Sequence, residues 1–357
     1  MKKRNLCAMI FALCLLAIWL LSGCGTAEER VIEEKKETEE KLQIGMSFDS
    51  FVIERWQRDR DVFVSTAKEM GAEVNVQNAN GDIEEQIAQI EYFIEKKMDV
   101  IVVVCIDSDS LSEVVTKAKN AGIKVIAYDR LIKNANVDLY ISFDNEMVGT
   151  MMAEGIVSSR RDGERIRSVL MLCGPLADNN VSMVESGFEK VMKRYNIKIV
   201  DRMHADGWKA ELGAAYVYDH AKEVNEADAI MCGNDDIATA VVRALAERRL
   251  AGKLKVVGQD ADLAACQRIV QGTQIMTVYK PVEKLAQKAA ECAIALAQGE
   301  EVPAENTLHD GTYEVPYVAL EPVSVYKGNM DDVIISSGFH LKEDVYVSVP
   351  GHETEKE

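Results

Sequence analysis

The chain has 357 residues, 48% of them apolar, and a formal charge of −18. That length fits two domains of ordinary size, and that apolar content fills sizeable cores, which excludes a disordered chain. A body so acidic repels phosphate backbones, which argues against nucleic acid as a partner.

The first residues, MKKRN, are basic, and LCAMIFALCLLAIWLL (Leu6 to Leu21) is an apolar run of about signal-peptide length. It is short for a spanning helix. The run ends in Leu21-Ser22-Gly23-Cys24, which looks like a lipobox. Cleavage before Cys24, with a diacylglyceryl thioether on its sulfur, would hold the protein on the outer face of the membrane. The alternative is an uncleaved N-terminal anchor helix. Loss of residues 1–23 removes Lys2, Lys3 and Arg4 and no acid, moving the charge to −21. Cys7 and Cys14 leave with that segment. Cys105, Cys173, Cys232, Cys266 and Cys292 sit in apolar runs with no CxxC pair. They read as small buried hydrophobes, with no disulfide framework and no metal site expected.

Residues 25–41, GTAEERVIEEKKETEEK, are charged and have no face to bury, so 24–41 reads as a solvated tether. From Leu42 onward, apolar runs alternate with amphipathic stretches. KLQIGMSF, EVNVQ, DVIVVVCI, KVIAYD and LYISFD are predicted strands. ERWQRDRDVFVSTAKEM and DIEEQIAQIEYFIEKK are predicted helices; in the second, Ile83, Ile87, Ile90 and Ile94 recur every three or four residues. The alternation resumes after Asn145 with IRSVLMLC, IKIVDRM, AIMCGN, LKVVGQD and QIMTVYK. Near-continuous Val/Ile runs separated by helices predict an α/β fold of two doubly wound parallel-sheet lobes. The stretch from Gly299 has weaker periodicity and is expected to cross back between lobes. The expected division is 42–145 plus about 281–310 for the first lobe and 146–280 plus about 311–345 for the second, with 346–357 as a tail.

The candidate chemistry collects where the runs end. VIAYDR finishes on Asp129-Arg130, YISFDN on Asp144-Asn145, IMCGND on Asn234-Asp235, VVGQD on Asp260 and MTVYK on Lys280. In open parallel sheets, ligands bind beyond the carboxyl ends of the strands. Asp and Asn at such places also serve as turn formers and helix caps, so each position alone carries both readings. Together they form a rim of acceptors and donors that suits several hydroxyls, each donating and accepting. Trp56 and Trp208 each follow a candidate strand, one in each half, among polar neighbours. An indole face packs flat on the apolar C–H face of a pyranose. Catalytic signals are absent: there is no GxGxxG, Walker loop, HExxH or GxSxG, and the five histidines do not pair at ligand spacing. Adjacent Asp235-Asp236 reads as a cap and a first-turn acid rather than a hydrolytic pair.

ERWQRDRDVF, VQNANG, VIAYDRLI, YISFDNEMVG, DNN, DGW, GQDADL, GTQIMTVYKP and SSGFH extend over about Lys41 to Lys342. In these blocks the chain resembles the bacterial sugar-binding proteins of the type I periplasmic-binding fold, with those that take D-xylose for ABC transporters the nearest match. The resemblance implies lobes joined by a multi-crossing hinge and a cleft that closes on one monosaccharide, without cofactor or catalysis. It implies sugar contacts at Arg55, Trp56, Asp129, Arg130, Asn145, Asp178, Asn180, Trp208, Asn234, Asp260 and Lys280. The implied partner is an ABC permease, or alternatively a membrane sensor kinase. The segments CIDSDS (Cys105 to Ser110) and CGPLADNN (Cys173 to Asn180) depart from the family pattern.

Overall fold

The computed structural model describes residues 41–53, 55–160, 165–304 and 306–349. The apolar N-terminal segment, Cys24, nearly all of the tether and residues 350–357 lie outside the described residues. Among the described residues, no helix is long and apolar enough to cross a membrane.

All ten apolar runs form strands. The first five are β1 (Gln43–Phe48), β2 (Glu73–Asn78), β3 (Val100–Val103), β4 (Lys124–Tyr128) and β5 (Leu139–Phe143). Between and after them lie α1 (Arg55–Glu69), α2 (Ile83–Glu95), α3 (Ser112–Asn120) and α4 (Asn145–Ser158). The second five are β6 (Ser168–Cys173), β7 (Lys198–His204), β8 (Ala229–Cys232), β9 (Lys255–Gln259) and β10 (Met276–Tyr279). Their helices are α5 (Asn179–Arg194), α6 (Ala210–Asp219), α7 (Ala221–Glu226), α8 (Asp235–Glu247), α9 (Leu263–Gln271) and α10 (Val282–Ala297). The last part of the chain adds β11 (Asn306–His309), β12 (Glu314–Leu320), β13 (Val323–Tyr326) and the short α11 (Lys342–Val345).

The strands make two sheets, ordered β11-β12-β5-β4-β3-β1-β2 and β13-β10-β9-β8-β6-β7. Apart from the antiparallel β11–β12 and β10–β13 pairs, every pairing is parallel. Helices on both faces explain why β3 and β8 are buried at every position. Each fully buried Val or Ile there contributes roughly 1.5–3 kcal/mol.

The chain passes between sheets at three places. It leaves β5 for α4, which packs on β9 and β10; it leaves β10 for α10, which packs on α1; and it passes from β12 to β13. The last crossing corrects the expected division. Glu314–Leu320 pairs with β5 and belongs to the first sheet, so the return lies between Leu320 and Val323 and not near residue 310. Pairing energy with a strand far back in the chain decides this, and no local pattern announces it.

One close approach positions the cleft. A Cβ on Gly149 would stand 1.8 Å from the Val184 carbonyl oxygen, and one on Gly187 would stand 1.9 Å from that of Glu146. Helices α4 and α5 therefore touch backbone to backbone, and this contact helps seat the start of α5 beside the first lobe.

Candidate functional site

All eleven residues singled out in the sequence line one cavity between the lobes. The non-atom space among these residues is about 490 Å³ with the open mouth included, and most of the enclosed part is filled by the side chains themselves.

The first lobe contributes a fixed set of charges. Arg55 opens α1 and lies buried, its Nη2 3.0 Å from Asp59 Oδ1 and 2.9 Å from Asp129 Oδ2. Tyr128 donates its hydroxyl to the same Asp59 oxygen. Asp129 ends β4 with φ of 62°, a left-handed conformation that Asp tolerates better than most residues. Its carbonyl accepts from Ser142 Oγ at 2.6 Å and from Asn180 Nδ2 at 3.0 Å. Asn145 donates to Ser142 Oγ at 3.3 Å, so it is tied to the same corner. Burial alone would raise the Asp129 carboxyl, but Arg55, Lys280 and Arg130 outweigh it and hold the group below the usual range. Arg130 reaches Asp49 at 2.7 Å and the Cys105 carbonyl at 3.0 Å.

The second lobe supplies the facing wall. Asp178 is the N-cap of α5, accepting from the Asn180 N–H at 2.9 Å. Its other oxygen lies 2.8 Å from Arg130 Nε. Burial outweighs that cation and raises the Asp178 carboxyl. Asn234 caps α8 through Oδ1, which accepts from Ile237 N–H at 2.9 Å. The capping reading of this residue therefore holds for its oxygen, while the amide nitrogen is not used by the cap. Asp260 has φ of 97°, and its Oδ1 lies 2.8 Å from Lys280 Nζ. That contact is an ion pair by distance only, because Oδ1 has no aligned hydrogen-bond donor.

The two tryptophans occupy opposite lobes. Trp56 is 2% exposed and packs beside Phe48, with the Arg55 guanidinium 4.5 Å from its ring centroid. Trp208, 9% exposed, lies so close over Gly174 that a Cβ there would sit 2.3 Å from Cη2. Only glycine leaves room for this indole. Both Nε1 atoms are buried without a hydrogen-bond partner, as is Gln259 Oε1. Buried polar atoms without partners carry a desolvation cost of about 1–3 kcal/mol each. Three such atoms belong to residues of this one cavity, and Asp260 Oδ1 meets only the unaligned Lys280 ammonium.

Sequence reasoning missed Gln259, Cys173 and Glu185, which also line the cavity. Gln259 was visible to the strand-end rule, since it ends β9 directly before Asp260. Glu185 shares the face of α5 that carries Asn180, Val181 and Val184, all lining the cavity at helical spacing. The two segments that depart from the family pattern meet across the cleft. Ser108 N–H donates to the Ala177 carbonyl at 2.9 Å, and Asn179 N–H donates to Ser108 Oγ at 3.1 Å.

Two doubly wound lobes, three crossings and a buried polar cleft between strand ends define a two-lobed binding protein that encloses a small polar solute. The chain belongs to the periplasmic binding protein domain family, whose model matches residues 44–301. It is a solute-binding protein of the type I fold and not an enzyme. It is 44% identical over 311 residues to a D-xylose-binding periplasmic protein from Haemophilus influenzae, covering 85% of this chain and 92% of that one. A protein of the same description from Escherichia coli is 42% identical over 311 residues, covering 85% and 93%. An ABC transporter solute-binding protein from Clostridium phytofermentans, solved with bound β-D-glucose, superposes with a TM-score of 0.75 at 28% identity, covering 85% of this chain and 99% of that chain.

Proposed function

We propose that this protein is an extracytoplasmic receptor that binds D-xylose between its lobes and delivers it to an ABC sugar permease. The carrying observation is the cavity: charged and amide groups from both lobes, two indoles, and four buried polar atoms without aligned partners. Similarity at 42–44% identity to two D-xylose-binding proteins supports the choice of sugar. In this reading Asp129, Asn145, Asn180, Asn234, Asp260 and Lys280 bond the hydroxyls, with Arg55, Arg130 and Asp178 completing the charged rim. Trp56 and Trp208 cover the ring faces. The lipobox-like Leu21–Cys24 supports anchoring through a lipid on Cys24.

A thermal-shift panel of monosaccharides tests the sugar. A ligand at a hundred times its Kd stabilises a protein by about 2.7 kcal/mol, so D-xylose should raise the melting temperature more than D-ribose, L-arabinose or D-glucose. A panel in which another sugar dominates replaces the ligand, and one in which none acts removes the reading.

A further inference from the structure

In the second lobe, three unlike side chains converge from three elements. Cys173 ends β6, Glu185 lies within α5 and His204 ends β7, and one ligand atom of each lies within 4.8 Å of the others. His204 Nε2 is 2.9 Å from Glu185 Oε1. We infer that these residues form a binding site for a thiophilic divalent cation of the zinc class.

The donor set selects the ion. A thiolate sulfur, an imidazole nitrogen and a carboxylate oxygen are the ligands zinc takes, whereas Mg²⁺ and Ca²⁺ require oxygen cages. Charge agrees as well. Glu185 Oε2 lies 3.4 Å from Arg202 Nη1, and Arg202 also bonds Glu189. With the Cys173 proton released, that group of four side chains holds three negative charges and one positive. A divalent cation neutralises the remainder. Ligation requires the thiolate, so binding releases the Cys173 proton to solvent.

Three protein ligands leave the fourth position of a tetrahedral ion open. Cys173 and Glu185 also line the interlobe cavity, so the two sites share these residues. The remaining described cysteines, Cys105, Cys232, Cys266 and Cys292, are buried and free and belong to no such group among the described residues.

The test uses the reduced, chelator-treated full chain titrated with Co²⁺ and then with Zn²⁺. The expected result is one equivalent of Co²⁺ with a thiolate-to-metal charge-transfer absorption, displaced by Zn²⁺. Cys173→Ser should abolish that band. His204→Gln, at a half-buried strand end, should weaken binding more than about tenfold, since even outer-shell partners are worth roughly 10–100-fold. Circular dichroism checks each variant, and His204→Gln decides the matter if Cys173→Ser fails to fold. Binding without a thiolate band, or with equal affinity in His204→Gln, is an adventitious ion only and overturns the site. No binding by the wild-type chain overturns it too.

Discussion

Arg130 Nε stands 2.8 Å from Asp178 Oδ2, and this ion pair joins the two lobes directly. Arg130 follows β4 of the first sheet, while Asp178 caps α5 against the second. Asn180 and Ser108 add hydrogen bonds across the same seam. The lobes are thus held together by protein groups at the rim of the cavity, with the hinge crossings elsewhere. Breaking one buried pair by removing a partner typically costs roughly 3–5 kcal/mol. Asp178→Asn should cost the closed form less, about 2 kcal/mol, because Asp49 still faces Arg130. Solution scattering should show a larger radius of gyration for Asp178→Asn than for wild type without sugar, and contraction of both with D-xylose. Identical curves for all four samples would mean a rigid cleft.

Asp260 sets a second expectation. Its carboxylate is buried beside Lys280 with an oxygen that lacks an aligned donor. A sugar hydroxyl donating to it would form a charge-assisted bond worth about 2 kcal/mol. Asp260→Ala should therefore weaken D-xylose binding more than about tenfold by calorimetry. Unchanged affinity would confine Asp260 to holding Lys280.

Asp129 gives a pH signature with a definite sign. Its folded pKa lies below the ordinary value of 3.8, because Arg55, Lys280 and Arg130 outweigh burial. A depressed carboxylate contributes stability that is fully present above its unfolded pKa and is lost as pH falls through the folded value. The melting-temperature gap between wild type and Asp129→Asn should stay constant from neutral pH down to about pH 5 and narrow only below about pH 4. A gap that closes near pH 6 would show that the three cations do not dominate this carboxyl.

For Cys24, the expectation is simple. Cys24→Ser should leave the membrane fraction, because the only proposed anchor is the lipid on that sulfur. A membrane fraction unchanged by the substitution would point to an uncleaved helix instead.

How much of this was legible beforehand depends on the range of the interaction. Strands buried on both faces announce themselves as Val/Ile runs, so β1 to β10 were readable locally. Strand β12, with its mixed EVPYVAL, is placed by its pairing with β5, and the boundary near residue 310 failed for that reason. The site followed the same rule. Asp129, Arg130, Asn145, Asn234, Asp260 and Lys280 sit at strand ends, where topology alone predicts a cleft. Glu185 needs the face of α5 to be known, and Cys173, Glu185 and His204 meet only once α5 packs over β6 and β7. His204 ends a strand and could have been flagged by position, but its partners could not.

The tryptophans carry the last prediction. Trp56 and Trp208 line the cavity from different lobes, and each has a buried Nε1 without a hydrogen-bond partner. An indole in that state responds to whatever enters beside it, by a new bond to Nε1 or by a change in local polarity. Trp19 lies in the apolar segment expected to be removed, so these two indoles supply the emission of the mature chain. D-xylose should change that emission saturably, with a midpoint equal to the calorimetric Kd. Trp56→Phe and Trp208→Phe should each retain part of the response. Loss of an aromatic stack costs about 0.5–1.5 kcal/mol beyond the buried area. Trp208→Ala should therefore weaken binding by at least several-fold, with circular dichroism checking that the second lobe stays folded, since the indole also packs against the core beside Gly174. Emission indifferent to saturating xylose, with binding seen by calorimetry, would take both indoles out of contact with the sugar and leave Gly174 as room for packing alone.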